Sequence, residues 1–178
     1  MKNSILKNVL AIMAILISYT LIMAQTPEEK LAELGLKLAD PEPPVANYVR
    51  AVRTGNLVFL AGHGPVRPEG GYITGKVGKD LTQEEGYEAA KVVGLAILSS
   101  LKKEIGELSK VKRIVKVLGM VNCTPEFGNQ PEVINGFSDL MVKVFGEEKG
   151  KHARSAVGMM ALPRNISVEI EMIVEIED

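Results

Sequence analysis

Arg154 opens a stretch, Ala156 to Leu162, that carries no charge. An arginine at the mouth of an apolar strand suits a carboxylate, because its planar guanidinium donates two parallel hydrogen bonds. Taken alone, the residue fits a surface ion pair at least as well. Glu169 and Glu171 alternate with Val168, Ile170 and Met172. Strand alternation turns both glutamates to one face and the apolar set to the other. One of them could orient a water or a proton, and a solvated face explains the pattern too. His152 stands two residues before Arg154, on the same strand face, where a rim position is the plain expectation. Gly62, His63 and Gly64 end an apolar run, so the backbone there can approach a ligand closely or simply bulge.

Other chemistries find no footing. His63, Cys123 and His152 are scattered without metal-ligand spacing, so no metal is expected. Phosphate loops of the GxxxxGK[ST] or GxGxxG type and a GxSxG elbow are absent from the sequence. No cofactor is expected. The net charge of −1, the absence of Trp and only four Tyr and four Phe argue against phosphate neutralisation and base stacking. No nucleic-acid partner is expected. The single cysteine forms no intramolecular disulfide, so burial must hold the fold.

The elements that would position these residues follow from periodicity and punctuation. A chain of 178 residues, 46% hydrophobic and 24% charged, can bury the core of one domain. Residues 1–24 have the layout of a signal peptide. Lys2 and Lys7 precede an apolar run from Val9 to Ala24, shorter than the roughly 20 residues of a membrane span. Cleavage after Ala24 would export the protein, to the periplasm or beyond, without a stable membrane span; without cleavage the segment would be an anchor. Residues 25–44 read as a short helix capped by Thr26 and a Pro-rich linker, and residues 45–178 as the main domain.

Within that domain, Tyr48–Arg53 and Leu57–Ala61 flank Thr54-Gly55-Asn56 as a hairpin. Thr82 and Glu85 open a long helix as a capping box, with Ala89, Val92, Val93, Ala96, Ile97, Ser100 and Leu101 on its buried face. Val111–Asn122 reads as a strand, Glu132–Phe145 as a second helix closed by Gly146, and Ala153–Leu162 and Ser167–Ile176 as two last strands. The order predicts an α+β fold: a mixed β-sheet with two main helices packed on one face.

Three segments carry a family resemblance. NYVRAVRTGNLVFLAGHGPV (47–66) is similar to the opening hairpin of the Rid/YjgF family. HARSAVGMMALP, followed by SVEIEMIVE, resembles its closing signature of an arginine, a small-residue strand, Leu-Pro and alternating glutamates. The helix Glu132–Phe145 resembles its second helix, with Asn135 where that family has an asparagine. The resemblance spans residues 45–176. It implies a chorismate-mutase-like fold that assembles as a homotrimer with sites between subunits. It also implies hydrolysis of 2-imino or 2-enamino acids to 2-keto acids and ammonia. By position, Arg154 would hold the substrate carboxylate and Glu169 would orient the attacking water. Tyr48, Asn135, Gly62, His63, Gly64 and Ala156 would line the cleft. The sequence departs from the family pattern at Ala61, where active members carry serine. His63 and Gly64 replace glutamine and an aliphatic residue, and Ala156 replaces cysteine. These departures keep open a trimeric binder of small carboxylates without catalysis. Endoribonuclease activity, known in some family members, fits the charge balance least.

Overall fold

The structure, a computed structural model, describes residues 25–177 apart from Glu42 and Val45. The expected signal peptide lies outside the described residues. Among these, no helix is long and apolar enough to cross a membrane.

Helix α1 (Pro27–Glu33) starts where Thr26 and Glu29 cap each other's backbone N–H reciprocally. It is fastened to the main domain. Leu31 is buried, and Glu28 Oε1 accepts from Leu108 N at 3.0 Å and pairs with Lys102 at 3.2 Å. Strands β1 (Ala51–Thr54) and β2 (Leu57–His63) form the expected hairpin. β1 is shorter than the alternating run Tyr48–Arg53 suggests. Its ladder ends at the pair Ala51–Leu60, and just beyond it β2 slips register against its other partner, β5, between Leu60 and His63.

The long helix α2 (Gln83–Ile105) carries the Thr82–Glu85 capping box. Strand β3 (Val111–Asn122) follows, then α3 (Gln130–Gly150), β4 (Ala153–Met159) and β5 (Val168–Ile176). β4 stops short of the expected Leu162 because its parallel partner β3 runs out at the pair Asn122–Met159. α3 reaches past Gly146, whose φ of 77° and ψ of 171° interrupt the helix before a last turn re-forms. The interruption falls where the sequence places the helix end.

The sheet order is β1-β2-β5-β3-β4, antiparallel except for the parallel β3–β4 pair. Helices α2 and α3 cover one face, so the expected α+β architecture with two main helices on one side of a mixed sheet is the fold observed. Val58, Leu60, Ile114, Val117, Val121, Ile170, Met172 and Val174 meet the helices and are buried. Burial on α2 is broader than one stripe. Ala90, Gly94 and Leu98 are covered as well, because α3 packs along that side.

Glycines set the distance between the two long helices. A Cβ on Gly94 would come within 2.8 Å of Leu140, and one on Gly136 would overlap the Tyr87 carbonyl. The second contact is with backbone, which no rotamer change relieves. Gly136→Ala is therefore expected to force the helices apart and to destabilise the protein by about 2 kcal/mol or more. Gly128→Ala, whose Cβ meets nothing within 4 Å, serves as the control. Equal urea midpoints for the two variants would refute the close-packing account.

Candidate functional site

Arg154 lies on the edge strand β4 opposite Val117, so its side chain emerges on the helix-covered side of the sheet. There α3 receives it. Arg154 Nη1 donates to Asn135 Oδ1 and to Ser138 Oγ, each at 2.9 Å, and Nη2 reaches the Pro131 carbonyl at 3.4 Å. All three acceptors are uncharged, and among the described residues Arg154 has no carboxylate partner. The surface ion pair that the sequence left open is not formed among the described residues. A guanidinium has five N–H donors. Nη1 is fully engaged and Nη2 half engaged, which leaves Nε–H and one Nη2–H without a partner among the described residues, on a planar group whose donors a carboxylate can bridge.

His152 stands behind this group. Its Nε2 is 3.1 Å from Ser138 Oγ and its Nδ1 is 2.7 Å from the Gly150 carbonyl. Burial, and next the positive charge of Arg154, hold its pKa below the ordinary histidine value. The expected rim residue is thus bonded into the arginine's own network. Ser138 escaped the sequence reading. Its signal was available: it lies three residues after Asn135, the spacing that puts two side chains on one helix face.

Glu169 occupies the opposite side of the sheet. It pairs with Met120, one residue out of phase with Gly119 and Ile170, both of which face the helices. Glu171 shares its face. Burial, and then the neighbouring Glu171 charge, push the half-buried Glu169 carboxyl above the usual carboxylate range. Gly62 makes room for it: a Cβ there would overlap Glu169 Oε1. The register slip in β2 turns Ala61 and Gly62 to this uncovered face. Ala61 helps line a shallow cleft of about 320 Å³ there, with Val49, Val52, Phe59, Leu118 and Glu171.

The same slip returns His63 to the helix side, which corrects its expected place in the cleft. His63 is 3% exposed, with Nδ1 2.7 Å from the Ala61 carbonyl and Nε2 2.8 Å from Ser100 Oγ of α2. Burial lowers its pKa to about 4. Gly64 packs against Tyr72 and Ile166 rather than beside Arg154. Ala156 lies opposite Gly119, on the arginine's side of β4 and half-buried. Tyr48 is exposed just before β1.

One copy of the chain thus holds two separate groups. Arg154, Asn135, Ser138 and His152 lie at the β4 edge on the helix side, whereas Glu169, Gly62 and Glu171 lie on the uncovered face. Among the described residues, no cluster of three His, Cys, Asp or Glu side chains is arranged to hold a metal.

Comparison with known proteins bears on the whole domain. A family model described as "YjgF/chorismate_mutase-like, putative endoribonuclease" matches residues 28–176. Protein TCP17 of Trypanosoma cruzi is 42% identical over 148 residues, 83% of this chain and 92% of that protein. The crystal structure of Atu1372 from Agrobacterium tumefaciens, described as of unknown function, superposes with a TM-score of 0.79 at 42% identity and covers 85% of this chain and 94% of its own. A structure from Shewanella oneidensis described as a "putative endoribonuclease" gives a TM-score of 0.82 at 30% identity, over 85% of this chain and all of its own.

The buried His63 makes stability depend on pH. Folding holds it neutral down to about pH 4, while the unfolded chain takes up a proton near 6.5. The unfolded state therefore binds more protons between these values, so this stabilisation is complete above pH 6.5 and is lost as pH falls towards 4. The loss is expected to reach about 3 kcal/mol. Urea unfolding of the wild type and His63→Gln from pH 7 to pH 4 measures it. Parallel curves would show that His63 is not held neutral.

Proposed function

The chain belongs to the YjgF/chorismate mutase-like family, and on that premise we propose that it hydrolyses small 2-imino or 2-enamino acids to 2-keto acids and ammonia. The observation that carries this reading is the state of Arg154: a half-buried cation held by three uncharged acceptors, with two N–H groups left without a partner among the described residues. That arrangement fits a planar, two-oxygen anion. A 2-imino acid held by its carboxylate presents its imine carbon at a fixed place, so a water needs only orientation to attack it. Glu169 is the group for that task. Its raised pKa makes it a better proton acceptor than an ordinary carboxylate, provided it is ionised.

The reaction needs both groups on one substrate, and one copy holds them on opposite sides of the sheet. The site is therefore read as lying between copies, the Arg154 edge of one meeting the Glu169 face of the next. A head-to-tail contact whose rotation closes makes a ring, and the family resemblance points to a trimer. The uncovered face supports this reading by its composition. Val52 and Phe59, paired across the hairpin, are 54% and 41% exposed, and Val157 is 40% exposed. A sheet face of that character favours cover by protein.

A second reading, a trimeric carboxylate binder without turnover, draws on Ala61. It lies on the Glu169 face with no hydroxyl to offer, and Ala156 offers none beside Arg154. Endoribonuclease activity, named in the family description, has the least support, because the chain has a net charge of −1 and no Trp.

Turnover of freshly generated 2-iminobutanoate tests the proposal. Arg154→Ala is expected to lower kcat/KM by about 100-fold, the loss of a charge-assisted pair. Rates equal to the wild type would end the assignment. Binding of 2-oxobutanoate without any turnover would favour the binder.

The pH profile gives a separate test of Glu169. Activity is expected to fall as pH drops through its elevated pKa, because the proton-accepting carboxylate is lost. The acidic limb should lie above the ordinary carboxylate range and be missing from the residual activity of Glu169→Gln. A limb unchanged in that variant would assign the ionisation elsewhere.

A further inference from the structure

The groups behind Arg154 form a chain whose hydrogen-bond directions can be worked out. The Gly150 carbonyl can only accept, so His152 Nδ1, 2.7 Å away, carries a proton. Its Nε2, 3.1 Å from Ser138 Oγ, is then the acceptor of a neutral ring, the form favoured by burial and by Arg154. The single hydroxyl proton of Ser138 goes to that nitrogen. The oxygen lone pairs of Ser138 are left for Arg154 Nη1–H, which can only donate, at 2.9 Å. Every donor meets an acceptor along the chain. Phe137 meets the His152 ring edge-on, at 6.1 Å between centroids and 75° between planes, and fixes its tilt.

Tertiary structure makes this chain possible. In an unbroken helix, residue 150 would lie about 18 Å beyond residue 138 along the axis. The break at Gly146 folds the last turn back. Gly150 then packs on the body of α3, where a Cβ would come within 2.7 Å of the Met141 carbonyl and 2.8 Å of Val142 Cα. That return brings His152 level with Ser138.

We propose that Ser138 and His152 are positioning residues for Arg154: His152, oriented by the Gly150 carbonyl, sets the Ser138 hydroxyl, which holds one edge of the guanidinium so that the other faces the substrate carboxylate. The carboxylate rests on the function proposed above; the orientation of the chain does not.

Two measurements separate these claims. The first is the 15N NMR signature of the His152 ring in the ligand-free full chain. The wild type is expected to show one tautomer, protonated at Nδ1, and Ser138→Ala the same tautomer with its Nε2 resonance shifted by loss of the hydroxyl's hydrogen bond. A mixed tautomer in the wild type, or a spectrum unchanged in Ser138→Ala, overturns the relay whether or not any carboxylate binds. The second is calorimetric binding of 2-oxobutanoate. Ser138→Ala and His152→Ala are each expected to weaken it about tenfold. Ser138→Thr and His152→Gln, which keep a hydroxyl and an acceptor in place, should stay within about threefold of the wild type. The double alanine variant should bind no worse than the weaker single one, as expected of groups acting in series. Additive losses, or full affinity in His152→Ala, overturn the relay. If the wild type binds no 2-oxobutanoate and turns over no imine, the proposed function fails, and the tautomer result alone then decides the relay.

Discussion

Among the described residues the helices cover only one face of the sheet, and most of what this protein presents for chemistry depends on that constraint. β5 runs down the middle of the sheet, and its residues alternate strictly: Val168, Ile170, Met172, Val174 and Ile176 go under α2 and α3, while Glu169, Glu171, Ile173 and Glu175 go to the other side. The burial of five large apolar side chains holds this register, because a one-residue slip would place all of them in water. The orientation of Glu169 is thus a by-product of the core. β4, at the sheet edge and parallel to β3, follows the same pleat and delivers Arg154 to the helix side. Two groups that would serve one substrate are separated by the thickness of the sheet.

A second constraint acts at the hairpin. The register slip between Leu60 and His63 puts two consecutive small residues, Ala61 and Gly62, on the uncovered face and sends His63 back under α2. It does two things at once. It makes room for the Glu169 carboxylate against Gly62, and it converts a histidine between two glycines into a neutral core residue bonded to Ser100. A histidine in such a place answers to desolvation more than to any ligand.

The surroundings of Glu169 and Arg154 differ in kind. Partial burial and the neighbouring Glu171 charge raise the Glu169 pKa, which favours proton uptake. Around Arg154, α3 supplies neutral acceptors only. A carboxylate in their place would cancel the charge that an anionic ligand needs. Polar but uncharged support keeps a cation both fixed and available.

Much of this was legible in the chain itself. Capping residues, apolar periodicity and Gly-rich punctuation determined the helices, the hairpin and the alternating last strand, because these signals are local and a helix or strand reads them within a few residues. The residue types near Arg154 and Glu169 were also there to read, together with the family resemblance. The sequence alone did not show on which side of the sheet each group emerges. That depends on strand order and on one slipped residue, neither of which leaves a local mark. It did not single out Ser138 either, or the tie between Ser138 and His152, since they are joined only after Gly146 reverses the end of α3. Nor did it decide between an ion pair and a free guanidinium edge at Arg154. That choice depends on which side chains α3 places around the arginine, and packing between distant segments settles it.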